Sequence, residues 1–353
     1  MTNDAIAGPY RVVEGTFKLP ENALFSSDHL GTFHTTINGL AITLTLPSFE
    51  ENTSASYGHY IVGPSRHYPN LEPQDDVDSF YWGFAGSQAR NDDGTPNSSW
   101  TIMVTRFRFS TCVEDSDEAS KQAAQTLYDA LTQWWVCVSS WIELFTQQDL
   151  NPPVMSRPQG IGQNIPFWSS RDGKTPHFVG VADSGILRWP RSAHLLDAES
   201  FQKCLDLTAA GCEPPFEWML IRDARSLIQA EHHRRAVIDA GTAAELALTR
   251  YIDDKMRTAA ESEKRRHLLG KISTPSLKLD EVLLAQHQTL KGRSELFEKL
   301  GGKLPIQFLD GLVFLRNSCA HSGTQPTETN AWQAVEIATE VVETVLPRCS
   351  FKP

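Results

Sequence analysis

Apolar Leu40, Ile42, Leu44 and Leu46 alternate with Ala41, Thr43 and Thr45, the period of a strand buried on one face. Asn38-Gly39 stands just before them, and both residues tolerate positive φ, so a two-residue hairpin is expected within Gly31–Leu46. Thr101–Ser110 predicts a second strand, with Arg106 and Arg108 on one face and Thr105, Phe107 and Phe109 interleaved. Tyr60-Ile61-Val62 and Phe80-Tyr81-Trp82 predict shorter strands, and Asn91-Asp92-Asp93-Gly94 with Pro96 predicts a loop. The first ~115 residues therefore read as mostly β.

The period then changes. Ser116-Asp117-Glu118 has the composition of a helix start, and Leu127, Leu131, Trp134, Val138, Trp141, Ile142 and Phe145 follow at helical spacing. Pro152-Pro153 is expected to end that helix. Trp134 and Trp135 read as core rather than as an exposed binding stripe. Asn151–Pro176 reads as a loop, and Phe178–Val181 with Ile186-Leu187 predicts one hairpin. From Phe201 the chain reads as helical. A short helix is expected over Phe201–Ala210, and a long one over Pro215–Met256 with a break near Ala230. A third is expected over Leu279–Leu300 with a break near Gly292. A fourth starts near Pro305, carries Ile306, Leu309, Leu312 and Phe314, and is stopped by Gly323 and Pro326. The last covers Thr329–Leu346, with Trp332, Val335, Ala338, Val342 and Val345 on one face.

A chain of 353 residues exceeds what one core usually serves. The expected class is α+β multidomain: a β-rich N-terminal domain with one long helix (1–200) and an all-α bundle (201–353). Charge divides the same way. Residues 1–200 hold 12 basic and 23 acidic groups, whereas residues 201–353 hold 20 of each. The acidic half is a poor grip for a nucleic-acid backbone, while the balanced half has room for a local basic groove. The six cysteines are scattered without a CxxC pair, which fits a reduced cytoplasmic protein and disfavours a thiolate zinc site. No apolar run approaches the ~20 residues of a membrane span, and the N-terminus has no basic, apolar leader. His232-His233 are adjacent and point to different sides of a helix, so no metal is expected there. Lys264-Arg265-Arg266-His267 suits either phosphate contact or a solvated loop. Gly160-Ile161-Gly162 and Gly270-Lys271 lack the full spacing of a phosphate loop.

The segment Phe314-Leu315-Arg316-Asn317-Ser318-Cys319-Ala320-His321-Ser322-Gly323 carries the candidate chemistry. An arginine, an adjacent asparagine and a histidine five residues on, at the end of an apolar helix, resemble the RNxxxH signature of HEPN domains. The helix over Arg235–Glu245, small residues leading to an acid, resembles the early HEPN helix, and the likeness spans Pro215–Leu346. Glu14–Pro20, Gly31-Thr32-Phe33 and the hairpin ending Leu44-Thr45-Leu46-Pro47 resemble the N-terminal domain of ApeA-type anti-phage proteins, which pair a β-rich domain with a HEPN domain.

Such a pair of residues suits RNA cleavage. A ribose 2′-hydroxyl attacks its own phosphate once a base takes its proton, and a histidine does this near neutral pH. An arginine clamps the phosphate and stabilises the growing charge. The resemblance implies a metal-independent endoribonuclease without cofactor, leaving a cyclic phosphate and a 5′-hydroxyl. Arg316 would hold the phosphate, His321 would be acid and base, Asn317 would orient the histidine or the phosphate, and Glu245 would be a supporting partner. It also implies a homodimer with two Arg/His pairs facing one groove, a toxin-like role in abortive, antiviral defence, and a protein trigger or antitoxin at the N-terminal domain. Residues five apart on a straight helix diverge by ~140°, so His321 is expected at or past the helix end. Two other readings stay open. Arg316 and His321 also suit a C-terminal cation and a cap. The helical domain also suits a non-catalytic module that binds a protein partner.

Overall fold

The computed structural model describes residues 10–50, 60–64, 82–90, 96–151, 167–169, 177–179, 194–258 and 289–353. The chain divides into two compact units: Met1–Asn151 with Pro190–Pro214 and Lys352–Pro353, and Pro152–Trp189 with Pro215–Phe351. An antiparallel β region is thus followed by a helical one. The boundary differs from the expected 200/201, because the helix at Phe201 belongs to the first unit.

In the first unit, β1 (Tyr10–Ser26), β2 (Thr32–Ile37), β3 (Leu40–Thr45), β6 (Gly83–Arg90) and β7 (Pro96–Glu114) form one sheet in the order β1-β7-β3-β2, with β6 also on β7. A separate small sheet pairs β4 (Ser48–Glu50) with β5 (Tyr60–Val62). The β2–β3 hairpin turns on Asn38 (φ 47°) and Gly39 (φ 83°), as the dipeptide predicts. The β1 strand was not legible from periodicity. It runs beside β7 along most of its length, with a register shift between Lys18 and Ala23 that accommodates Pro20.

The long helix α1 (Asp117–Thr146) starts at Ser116, whose hydroxyl accepts the Ala119 N–H at 3.1 Å. It ends before Pro152-Pro153, at Gln147 in the left-handed region. The buried Glu143 carboxylate then accepts the Leu150 and Asn151 N–H groups at 2.7 and 2.6 Å, which satisfies the turn. Trp134 and Trp135 are core residues against Phe107 of β7. Helix α2 (Ala198–Ala209) covers β2, where Phe201 meets Phe33 and Phe25 edge-on. On β7, Arg106 and Arg108 stand by the ring of buried Trp82.

In the second unit, β8 (Phe167–Ser169) pairs with β9 (His177–Val179). The hairpin thus takes its first strand from a stretch expected to be loop, and Ile186-Leu187 lies outside the described residues. Helices α3 (Phe216–Gln229) and α4 (His233–Thr258) divide the expected long helix at the expected break, where Ala230 is followed by Glu231 with φ 63°. Ala236, Ala240, Ala243, Ala244 and Ala247 are all fully buried, so α4 is the central helix against which its neighbours close. Helix α5 (Leu290–Lys299) is capped by Thr289, whose hydroxyl accepts the Gly292 N–H, and is held by buried Leu296 and Phe297.

The fourth expected helix proves to be two structures. Phe308–Phe314 is a π-helix that runs directly into α6 (Leu315–His321). The wider turn changes which side chains face inward. Phe308, Leu312 and Val313 are buried, while Leu309 and Phe314 are exposed, as is Ile306 in the turn before the π-helix, although all three are expected within one apolar helix. Gly311 faces α7 (Glu328–Val345), where a Cβ would stand 2.5 Å from Ile337 Cδ1. The α7 helix begins at Thr327, which caps Asn330, and buries Val335, Ala338 and Val342 as expected, while Trp332 and Val345 are partly exposed. No helix among the described residues is long and apolar enough to cross a membrane.

Candidate functional site

Arg316 stands in the first turn of α6 and His321 is the last residue of that helix. Gly323 follows with φ 68°, and the Ser322 and Thr324 N–H groups both donate to the Ser318 carbonyl, at 3.0 and 3.3 Å. The end of α6 is also tied to α4, because Arg234 Nε donates to the Cys319 carbonyl at 2.8 Å. Cys319 itself is buried, and burial pushes its thiol up, which leaves it inert as a nucleophile at neutral pH.

The Arg316 stem lies on α4. A Cβ on Gly241 would stand 2.6 Å from Arg316 Cγ, so only glycine leaves this space open. One turn along α4, Glu245 Oε2 lies 3.6 Å from Arg316 Nη2. Arg316 Nη1 donates to Asn317 Oδ1 at 3.3 Å, while Arg316 Nε is buried without a hydrogen-bond partner. The other Glu245 oxygen, Oε1, lies 3.1 Å from Arg293 Nη1 of α5, and that same nitrogen donates to Thr249 Oγ1 at 2.7 Å. Gly241, Glu245 and Thr249 are spaced four apart, so one stripe of α4 underlies the whole cluster.

His321 is exposed at the mouth of the helix end. Both it and Arg316 lie within regular α-helix, so their Cα–Cβ directions diverge by ~140° within one chain. The structure therefore brings Arg316, Asn317 and Glu245 together and leaves His321 open to solvent on the same short helix.

Sequence reasoning missed Arg293 and the role of Gly241. The glycine had a legible signal, since a glycine in a helix interior costs about 1 kcal/mol against alanine and usually has a packing reason. Arg293 had none, because nothing local links α5 to Glu245. Lys264–His267, Gly160–Gly162 and Gly270-Lys271 lie outside the described residues. His232 is exposed and His233 opens α4. Among the described residues no group of three or more His, Cys, Asp or Glu side chains is gathered to hold a metal ion. The chain matches no family model, no curated protein and no solved structure.

Proposed function

We propose that this chain is a metal-independent endoribonuclease of the HEPN type. The observation that carries the reading is the largely buried Arg316 side chain, gathered with Glu245 and Asn317, on the same short helix as an exposed histidine. The guanidinium takes the phosphate and stabilises the charge that builds on its oxygens. His321 takes the 2′-hydroxyl proton and returns one to the leaving 5′-oxygen. Asn317 orients the guanidinium, and Glu245 holds it against α4. Products carry a 2′,3′-cyclic phosphate and a 5′-hydroxyl.

The ~140° divergence of Arg316 and His321 along one helix favours a homodimer, in which each arginine works with the histidine of the other copy. By analogy with two-domain anti-phage proteins, the N-terminal unit senses a trigger or restrains the nuclease in the cytoplasm, and the cleavage arrests an infected cell.

A second reading, a non-catalytic interaction module, draws on the exposed apolar side chains Ile306, Leu309 and Phe314 beside the motif. The exposure of His321 favours the first reading, because a cap bonded only to backbone has no need of solvent.

Induced expression of the native chain, His321→Ala and Arg316→Ala, with and without phage challenge, tests the choice. The nuclease reading expects growth arrest or protection with cut RNA from the native protein alone. Folded variants that arrest or protect equally well would transfer the function to the interaction module.

A further inference from the structure

Resting on the nuclease reading of Arg316, we infer that Arg293 is a positioning residue for that guanidinium, acting through Glu245. Glu245 is bound on both oxygens. Oε1 meets Arg293 Nη1 at 3.1 Å, and Oε2 meets Arg316 Nη2 at 3.6 Å. Arg293 is itself fixed by Thr249, which lies one turn beyond Glu245 on α4 and accepts its Nη1 at 2.7 Å. The carboxylate thus has one oxygen anchored and one left for Arg316. The three side chains are three-quarters or more buried, so the contacts are little screened: exposure is 25% for Arg293, 20% for Glu245 and 25% for Arg316.

Two consequences follow from two guanidinium groups on one carboxylate. First, Glu245 shares its charge between two guanidinium groups, so it neutralises Arg316 less than a lone Glu245–Arg316 pair would. Second, Glu245 cannot swing fully onto Arg316, so the arginine stays turned along α4 over Gly241 with its Nη1 on Asn317. Arg293 reaches this point because α5 is anchored independently. Leu296 and Phe297 are buried, and the Phe297 ring stands 4.6 Å from that of Tyr251. Removing the Arg293 guanidinium therefore leaves α5 docked.

Two measurements on the full chain test this. The first is independent of activity: the Nε–H resonance of Arg316 in arginine-labelled protein, assigned by its loss in Arg316→Lys. Burial of Nε shields this proton from exchange with water. In Arg293→Ala the resonance moves and exchanges faster, in Arg293→Lys less so, and Arg293→Ala combined with Glu245→Gln goes no further than either alone. An unchanged resonance in Arg293→Ala overturns the inference. The second is RNA cleavage. Arg293→Ala lowers kcat roughly 10- to 100-fold, the scale of a misplaced catalytic group, with KM and the salt dependence of binding to a short single-stranded RNA unchanged. A fall of about 1 in the salt slope means that Arg293 grips phosphate directly, and the positioning role is overturned. A native chain that cuts no RNA while its Arg316 resonance still answers to Arg293 refutes the nuclease reading and leaves the positioning intact.

Discussion

Gly241 and Arg316 fit together so closely that a single Cβ on the glycine would come within 2.6 Å of the arginine Cγ. The arginine can lie along α4 because the helix is bare at that position. Gly241→Ala should therefore have opposed effects. Helix propensity gains about 1 kcal/mol, while Arg316 must leave its place beside Glu245. The expected outcome is unchanged helical circular dichroism, a melting temperature that moves little, and a large loss of RNA cleavage. Full activity in this variant would mean that the observed Arg316 conformation is not the working one.

Arg316 and His321 diverge on α6, so the proposed dimer makes a sharp prediction. Arg316→Ala and His321→Ala should each be inactive. Mixed and allowed to exchange subunits, they should recover about a quarter of native activity, because half the dimers then hold one intact pair formed across two chains. If each chain used its own pair, mixing would restore nothing.

Asp239 offers a stability test. Burial raises its carboxyl above the usual carboxylate range, against the pull of Arg235 at 3.7 Å. A carboxyl with a raised folded-state pKa contributes stability that is full below the unfolded value and lost as pH rises through the folded one. Asp239→Asn should therefore melt higher than the native chain at pH 7. The difference should shrink as the solution is acidified and vanish below about pH 3.9, where both states hold the proton. A variant that is less stable at pH 7 would show that the Arg235 contact outweighs burial.

Glu143 is a stability test in the first unit. It is 1% exposed, and its Oε1 accepts two backbone N–H groups that follow α1. Glu143→Ala orphans those two donors and should cost roughly 2–6 kcal/mol, a buried donor being worth about 1–3. Urea denaturation measures it, and a change below 1 kcal/mol, on the ~0.5 kcal/mol scale of ordinary surface substitutions, would contradict the role.

The parts of the fold legible in the sequence are those set by local chemistry. Asn38-Gly39 makes its turn by tolerating positive φ, Ser116 caps α1, and the break after α3 falls near Ala230. The parts that escaped depend on distant partners. The β1 strand carries Gly15 and Pro20 and gains its order from β7. Helix α2 has an apolar face that any unit could bury, and distant partners such as Phe25 and Phe33 decide which. The π-helix leaves Leu309 and Phe314 outward, which a 3.6-residue period cannot anticipate. At the site, the Arg316-Asn317 and His321 string was visible as a motif, and Glu245 came with the HEPN resemblance. Arg293 is joined to them only by the packing of α5 on α4.

The central claim is that Arg316 and His321 cut RNA without a metal. The most direct measurement incubates total cellular RNA with the purified native chain and with His321→Ala, in excess chelator, and reads the new termini. The account predicts cleavage by the native chain to 2′,3′-cyclic phosphate and 5′-hydroxyl ends, slowed by about 100-fold or more in the variant. Equal cleavage by a folded His321→Ala, or ends that carry a 3′-hydroxyl and a 5′-phosphate, would contradict it.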